Sequence, residues 1–272
     1  MSMTTLIRTM LLGALLLLAL PAHAAVDHQH RAFTALLVRH VQWNAAGTTT
    51  SVDYAGFARE RKALDGYVAG LGAVPMAEYA RGSWPQQQAF LINAYNAATV
   101  QLVLPSYPKV DSINDVGGVL GYPWKKAFVP LLGKTRSLDD IEHGLLRGSP
   151  RYRDPRIHFA VNCASIGCPA LRPEAFVATR LDAQLEDQTV RFLRDRSRNR
   201  LRVDAKALLL ELSSIFDWYG DDFAVQGGPA GFVARRADAL GADAMQASMV
   251  RSGRAKLRFL DYDWALNDRR AR

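Results

Sequence analysis

The sequence predicts an α+β fold, with a helix-rich first half packed on a small antiparallel sheet from the second half. Apolar residues recur at helical spacing through roughly the first hundred positions. Short strand-like runs come later, separated and without the regular strand–helix alternation of a parallel sheet. No Pro/Gly/Ser-rich linker, low-complexity tract or internal repeat divides the chain. One domain is therefore expected over residues 25–272.

Residues 1–24 have the pattern of a secretory signal peptide. Arg8 is followed by an apolar run from Leu11 to Leu20, and Ala22-His23-Ala24 fits a small-x-small cleavage site. The run is short for a membrane span. The expectation is a chain that starts near Ala25 after cleavage, has no membrane span left, and is periplasmic or secreted, where disulfides persist. The formal net charge is +8, and its densest stretch, Arg191 to Arg200, is diluted by Asp195 and polar residues. Such an excess speaks to solubility rather than to a site. No nucleic-acid motif accompanies it, so no nucleic-acid partner is expected.

The elements follow in order. Phe33, Leu36, Leu37, His40 and Val41 keep helical spacing. Val52-Asp53-Tyr54 opens a second helix with Phe57, Leu64, Tyr67 and Leu71 on its buried stripe. Residues 85–103 start at Pro85, a favoured first-turn residue, and are apolar on nearly every side, as a central helix is. Residues 104–136 are rich in Pro and Gly and read as a long irregular segment of the kind that borders binding sites. Ser137 caps the next helix, with Asp140 in capping-box position and Leu138, Ile141 and Leu145 as its apolar stripe. A strand is expected at 156–162 and a helix near 178–195. A hairpin joins Leu201–Asp204 to Ala207–Leu212. Ser213 or Ser214 caps a short helix with Phe216, Trp218 and Tyr219. Another helix begins at Gly228-Pro229 and reaches about Ala239, and a last strand covers Leu257–Tyr262.

The most informative stretch is Ile157 to Pro169. It holds the only two cysteines, Cys163 and Cys168, together with His158 and Asn162. On a strand, Ile157, Phe159 and Val161 share the core face, and His158, Ala160 and Asn162 share the other. A thiol in a turn just past a strand is held by rigid structure and still reachable. Three readings of the cysteines stay open. A Cys163–Cys168 disulfide suits an oxidising compartment. A reactive Cys163 thiolate needs a neighbouring base. Metal binding fits least well, because the His–Cys gaps match no standard zinc spacing, and no metal or cofactor is expected.

His143 is the foremost base, since Asp139 one turn earlier on the same helix face can orient its ring, with Glu142 beside them. An ordinary exposed histidine paired with a helix acid satisfies the same spacing. His158, flanking the cysteine turn, could line a cleft. Asn93 and Asn96, with Tyr95 between them, lie in the apolar helix, where asparagine is a poor helix former. If buried, their amides need partners. They either bind a ligand or tie the helix to the irregular segment that follows.

These motifs together resemble the domain of unknown function 547 family. The resemblance rests on Ala89-Phe90-Leu91-Ile92-Asn93-Ala94-Tyr95-Asn96-Ala97, Ser137-Leu138-Asp139-Asp140-Ile141-Glu142-His143, and the run from Asp154 to Pro169. Phe216-Asp217-Trp218-Tyr219 and Tyr262-Asp263-Trp264-Ala265-Leu266-Asn267 look like its later motifs. There is a more distant likeness to papain-like and transglutaminase-like thiol enzymes, which pair a core helix with an antiparallel sheet. In those enzymes cysteine opens the helix and histidine follows on a strand. Here the helix offers Asn93, and Cys163 follows His143.

Two functions are expected on this basis. One is a secreted thiol hydrolase or acyltransferase on peptide-like amides. In it Cys163 attacks, His143 serves as base, Asp139 or Glu142 orients it, and His158 and Asn162 line the cleft. The other is a non-catalytic module for a peptide, a glycan or another cell-wall polymer. There a Cys163–Cys168 disulfide staples the turn, and the histidines, Asn93, Asn96 and Tyr95 form a polar pocket.

Overall fold

The computed structural model describes residues 27–120, 122–149, 153–204 and 207–271. The expected signal peptide and its cleavage point lie outside the described residues. The fold is α+β, as the sequence predicts. Helix α1 (Arg31–His40) buries Phe33, Leu36, Leu37 and His40 and runs straight into strand β1 (Val41–Trp43), which pairs antiparallel with β2 (Thr50–Val52). The expected second helix is two helices, α2 (Tyr54–Arg59) and α3 (Arg61–Gly72), with the break at Glu60. Asp53 caps α2 by accepting the Gly56 N–H at 2.7 Å. Helix α4 (Met76–Arg81) is short and leads into α5.

Helix α5 (Trp84–Val103) is the central beam, buried along nearly its whole length. Ser83 and Gln86 form a reciprocal capping box in front of Pro85. The two interior asparagines do not open to a cavity. Asn93 donates to the Phe176 carbonyl at 2.7 Å and accepts the Phe176 N–H at 3.0 Å. Asn96 donates to the Ala160 carbonyl at 2.9 Å and accepts the Asn162 N–H at 2.8 Å. Each amide satisfies both a backbone N–H and a backbone carbonyl of a segment outside regular structure and holds it against α5. They tie the helix to residues 160–162 and 176 rather than to the segment at 104–136.

Residues 104–136 are more ordered than their Pro/Gly content predicts. They hold 3₁₀ turns at Ile113–Leu120 and Pro123–Lys125, then a hairpin of β3 (Val129–Leu131) and β4 (Lys134–Arg136). After Ser137, which exchanges side-chain and backbone bonds with Asp140 at 3.0 and 2.8 Å, comes a π-helix over Asp140–Arg147. Such wide helices are rare and concentrate at functional sites.

The expected strand at 156–162 is instead a 3₁₀ helix, Pro155–Phe159, followed by chain without regular secondary structure. Three residues per turn send side chains in three directions. Ile157 and Ala160 point into a first apolar cluster built around α5, and Phe159 enters a second cluster with Phe192, Phe216, Phe223 and Phe232. His158 and Val161 share the third direction and face a cleft.

Helix α6 (Leu181–Arg194) spans both clusters, with Leu181 and Leu185 in the first and Phe192 and Leu193 in the second. The expected hairpin is present as β5 (Arg200–Asp204) and β6 (Ala207–Ser213). Helix α7 (Ile215–Trp218) follows, with the Ile215 N–H capped by Ser213 Oγ at 3.3 Å. The helix expected from Gly228 is α8 (Gly228–Ala234) with a separate 3₁₀ turn at Ala237–Leu240, and α9 (Ala244–Arg251) comes next. The final strand, β7 (Lys256–Leu260), pairs parallel to β6, so this sheet is mixed while the two-stranded ribbons are antiparallel. The basic run is anchored to the fold. Arg191 bonds Asp187, Arg200 bonds Glu211, and the buried Arg198 pairs with Asp195 and donates to the Cys168 carbonyl.

Candidate functional site

The two apolar clusters meet along a cleft of about 190 Å³, open to solvent at its mouth. The first cluster supplies Tyr95 and Val161, with Trp124 and Trp264 packed against it, and the second supplies Ile215, with Tyr219 and Tyr262. The π-helix adds Glu142 and His143, Asp139 just before it adds its carboxylate, and the 3₁₀ segment adds His158. Cys163 and Cys168 complete the lining. A concave, largely aromatic site with a few converging polar groups is the usual form of a small-ligand pocket.

The cysteines form a disulfide with sulfurs 2.01 Å apart, so neither sulfur carries an ionisable proton. The loop between them is tightly held. Asn162 donates to the Pro169 carbonyl at 2.7 Å and accepts the Ala164 N–H at 3.0 Å. Ala164 sits at φ 67°, a left-handed conformation that costs a residue with a Cβ about 1 kcal/mol or more. The Tyr262 hydroxyl lies 3.2 Å from Cys163 Sγ and 3.1 Å from Cys168 Sγ and accepts a bond from Ser165 Oγ at 3.2 Å. Tyr262 belongs to a C-terminal strap that is stitched down on both sides. The Gly167 N–H donates to Asp263 O at 2.8 Å, Ile166 N–H to Ala265 O at 2.8 Å, and Leu266 N–H to Asp111 O at 2.7 Å.

One wall of the cleft is aromatic. Trp218 and Trp264 stack with centroids 5.7 Å apart and planes 23° from parallel. Tyr262 and Trp124 flank Trp264 at 4.5 and 5.8 Å. Trp218 is 47% exposed and lines the cleft.

The other wall is polar and rich in hydrogen-bond acceptors. Glu142, only 7% exposed, accepts the Tyr219 hydroxyl at 2.9 Å. Burial and the nearby Glu142 charge push the Tyr219 and Tyr95 hydroxyls far above the usual phenol range, so both remain protonated donors. His158 stacks on Tyr219 at 4.0 Å, and its Nε2–H donates to Asp222 at 2.6 Å. Asp222 also takes two bonds from Arg147, at 2.7 and 3.2 Å. The bond from His158 and those from Arg147 hold the Asp222 carboxyl well below the usual carboxylate range. Nε2 is thus the ring nitrogen committed to Asp222, and Nδ1 is the other. That atom is buried and has no partner among the described residues.

The residues singled out from sequence thus divide into two groups. Cys163, Cys168, His143, Glu142, Asp139, His158 and Tyr95 all line the cleft. Asn93, Asn96 and Asn162 do not, because their amides are used on backbone groups. The expected Asp139–His143 pair is present but loose, with Nε2 3.9 Å from the carboxylate on the surface. Arg147 donates to His143 Nδ1 at 3.0 Å, which occupies the lone pair a base would use. Sequence spacing does not reveal Asp222, 64 positions from His158. The aromatic wall did leave a signal, in Trp218-Tyr219 and Tyr262-Asp263-Trp264. Among the described residues no three His, Cys, Asp or Glu side chains converge to hold a metal ion, and no helix is long and apolar enough to cross a membrane.

Residues 81–193 match the family model described as "Protein of unknown function, DUF547". That span covers α5, the cysteine loop and nearly all of α6, and stops before the motifs at 216–219 and 262–267. No curated protein and no solved structure matches the chain.

Proposed function

We propose that this chain, whose residues 81–193 belong to the DUF547 family, is an exported binding protein that takes a glycan into the cleft. The supporting observation is the pairing of an aromatic wall with an acceptor-rich wall across one cleft. The C–H face of a sugar ring packs on an aromatic face, and Trp218 stacked on Trp264 offers a broad one. Sugar hydroxyls are donors, and the carboxylates of Glu142 and Asp139 are acceptors along the lining. The disulfide at the cleft floor fixes the loop that the strap and Tyr262 pack against. Titrating the protein with soluble oligosaccharides while following tryptophan fluorescence tests the reading. Saturable quenching is expected, and Trp218→Ala weakens binding by at least about tenfold. Binding of peptides but not of saccharides would reassign the ligand class. Export is part of the reading: cell fractionation should find the processed chain, beginning near Ala25, outside the cytoplasm.

A second reading, acyl transfer by Cys163, draws on one specific observation: Cys163, His143, Glu142 and Asp139 all line the cleft. It requires prior reduction of the Cys163–Cys168 bond, because a disulfide sulfur is not a nucleophilic thiolate. Amidase or esterase activity that appears with a dithiol reductant and is lost in Cys163→Ser supports it. Activity that is indifferent to both removes it.

A further inference from the structure

We propose that the glycan taken by the cleft is an amino sugar with a free ammonium group, and that the carboxylates of Glu142 and Asp139 are its counter-ions. The inference rests on the glycan reading above and adds the sign of the ligand's charge. Three observations carry it. First, the cleft runs against the charge of the chain. The sequence has a formal net charge of +8. The cleft, histidines aside, is lined by one cation, Lys125, and two carboxylates, Asp139 and Glu142. Lys125 lies over the Tyr122 ring, 5.2 Å from its centroid. A cleft lined by an excess of one sign attracts a ligand of the other and disfavours one of its own.

Second, Glu142 has neutral partners only. It accepts the Tyr219 hydroxyl at 2.9 Å, with the Tyr95 hydroxyl also beside it. The basic groups around it pair elsewhere. His143 faces Asp139, while Arg147 and His158 hold Asp222. No Lys, Arg or His among the described residues is ion-paired with Glu142. A carboxylate this deeply set is costly without a counter-ion, and a ligand ammonium supplies one. Third, the aromatic wall is open to a cation. Lys125 lies over Tyr122 and Arg147 over Tyr219, but among the described residues no cation lies over Trp124, Trp218, Tyr262 or Trp264. The faces of such rings attract cations. Tyr262, within 4.8 Å of Trp218 and 4.5 Å of Trp264, links this wall to the carboxylate. Burial raises its hydroxyl above the usual phenol range, and the Glu142 charge adds to the rise. A sugar with hydroxyls alone can use the same rings and acceptors, but it leaves Glu142 without a counter-ion.

The test compares three trimers, chitotriose, triacetylchitotriose and cellotriose, by calorimetric titration of the full processed chain with its disulfide intact. Mildly acidic buffer keeps the chitotriose amines protonated. In the wild-type protein chitotriose should bind at least about tenfold more tightly than either neutral trimer. Glu142→Gln keeps an acceptor for Tyr219 and removes the charge, and should bring the three affinities within about twofold of one another. Asp139→Asn, at a more exposed position, guards against a Glu142 variant that fails to fold and should reduce the advantage of chitotriose. Equal affinity for the three trimers, tighter binding of a neutral one, or an advantage that survives undiminished in a folded variant overturns the inference while leaving the glycan reading intact. Binding of none of the trimers overturns both.

Discussion

The aromatic ring of Tyr262 occupies the space a side chain at Gly167 would need. A Cβ built on Gly167 would lie 2.9 Å from three atoms of that ring. The ring cannot easily withdraw. Its hydroxyl sits against both sulfurs, and the adjacent strap is bonded to Gly167 itself through Asp263 O at 2.8 Å. Gly167→Ala should therefore destabilise the protein by about 1–3 kcal/mol, the range for overpacking a close contact. Chemical denaturation measures this. The same variant should weaken ligand binding, because the displaced ring belongs to the aromatic wall.

The α5 amides give a second prediction. Asn96→Leu keeps the volume but leaves the Ala160 carbonyl and the Asn162 N–H without their partner. Two buried backbone groups left unpaired cost roughly 2–4 kcal/mol. Urea denaturation should show that loss, while Gln101, at the far end of the same helix and half-buried, tolerates replacement better.

How much of this was legible in the sequence depends on how locally each feature is determined. Helices α5 and α6, the Ser137–Asp140 cap and the β5–β6 hairpin follow from spacing and capping residues within a few positions of each other. The strand expected at 156–162 failed for a definite reason. Alternation identifies a strand when one face is apolar and the other meets water. Here Ile157 and Phe159 enter different clusters and His158 faces a cleft, so the same apolar pattern fits a 3₁₀ turn. Strands β1 to β4 have three residues each, too few to show a period. The partner of His158 is hidden from the sequence for a related reason. Helical spacing finds Asp139 for His143, observed at 3.9 Å, but cannot find Asp222 for His158, observed at 2.6 Å. That closer contact comes from the packing of two distant segments.

His30 gives a pH dependence. It is buried, with Nδ1 2.8 Å from the Tyr67 hydroxyl. Burial, only partly opposed by Asp27, lowers its pKa from 6.5 to about 4. Above pH 6.5 the imidazole is neutral in both folded and unfolded chains, and its full contribution is present. As pH falls from there toward 4, only the unfolded chain takes up the proton, so stability is lost. The loss approaches roughly 3 kcal/mol and levels off below pH 4. Asparagine tolerates the left-handed backbone at this position. His30→Asn should therefore flatten this part of the stability profile, measured by denaturation between pH 7 and 4.

The state of His158 can be read directly. Long-range ¹H–¹⁵N spectra should show a proton on Nε2 of the wild-type ring, because the Asp222 carboxylate accepts there. Asp222→Asn removes the carboxylate that holds that proton and should shift or broaden the Nε2 signal. An unchanged spectrum in the variant would mean that another group sets the ring.

The cleft's role as the ligand site is tested most directly by the indole N–H resonances of the five tryptophans during a titration with triacetylchitotriose. Trp124, Trp218 and Trp264 line the cleft, whereas Trp43 packs under Arg191 and Trp84 opens α5. The first three indoles should shift together along one saturation curve while Trp43 and Trp84 stay fixed. Shifts confined to Trp43 or Trp84, or no shift at any indole, would contradict it.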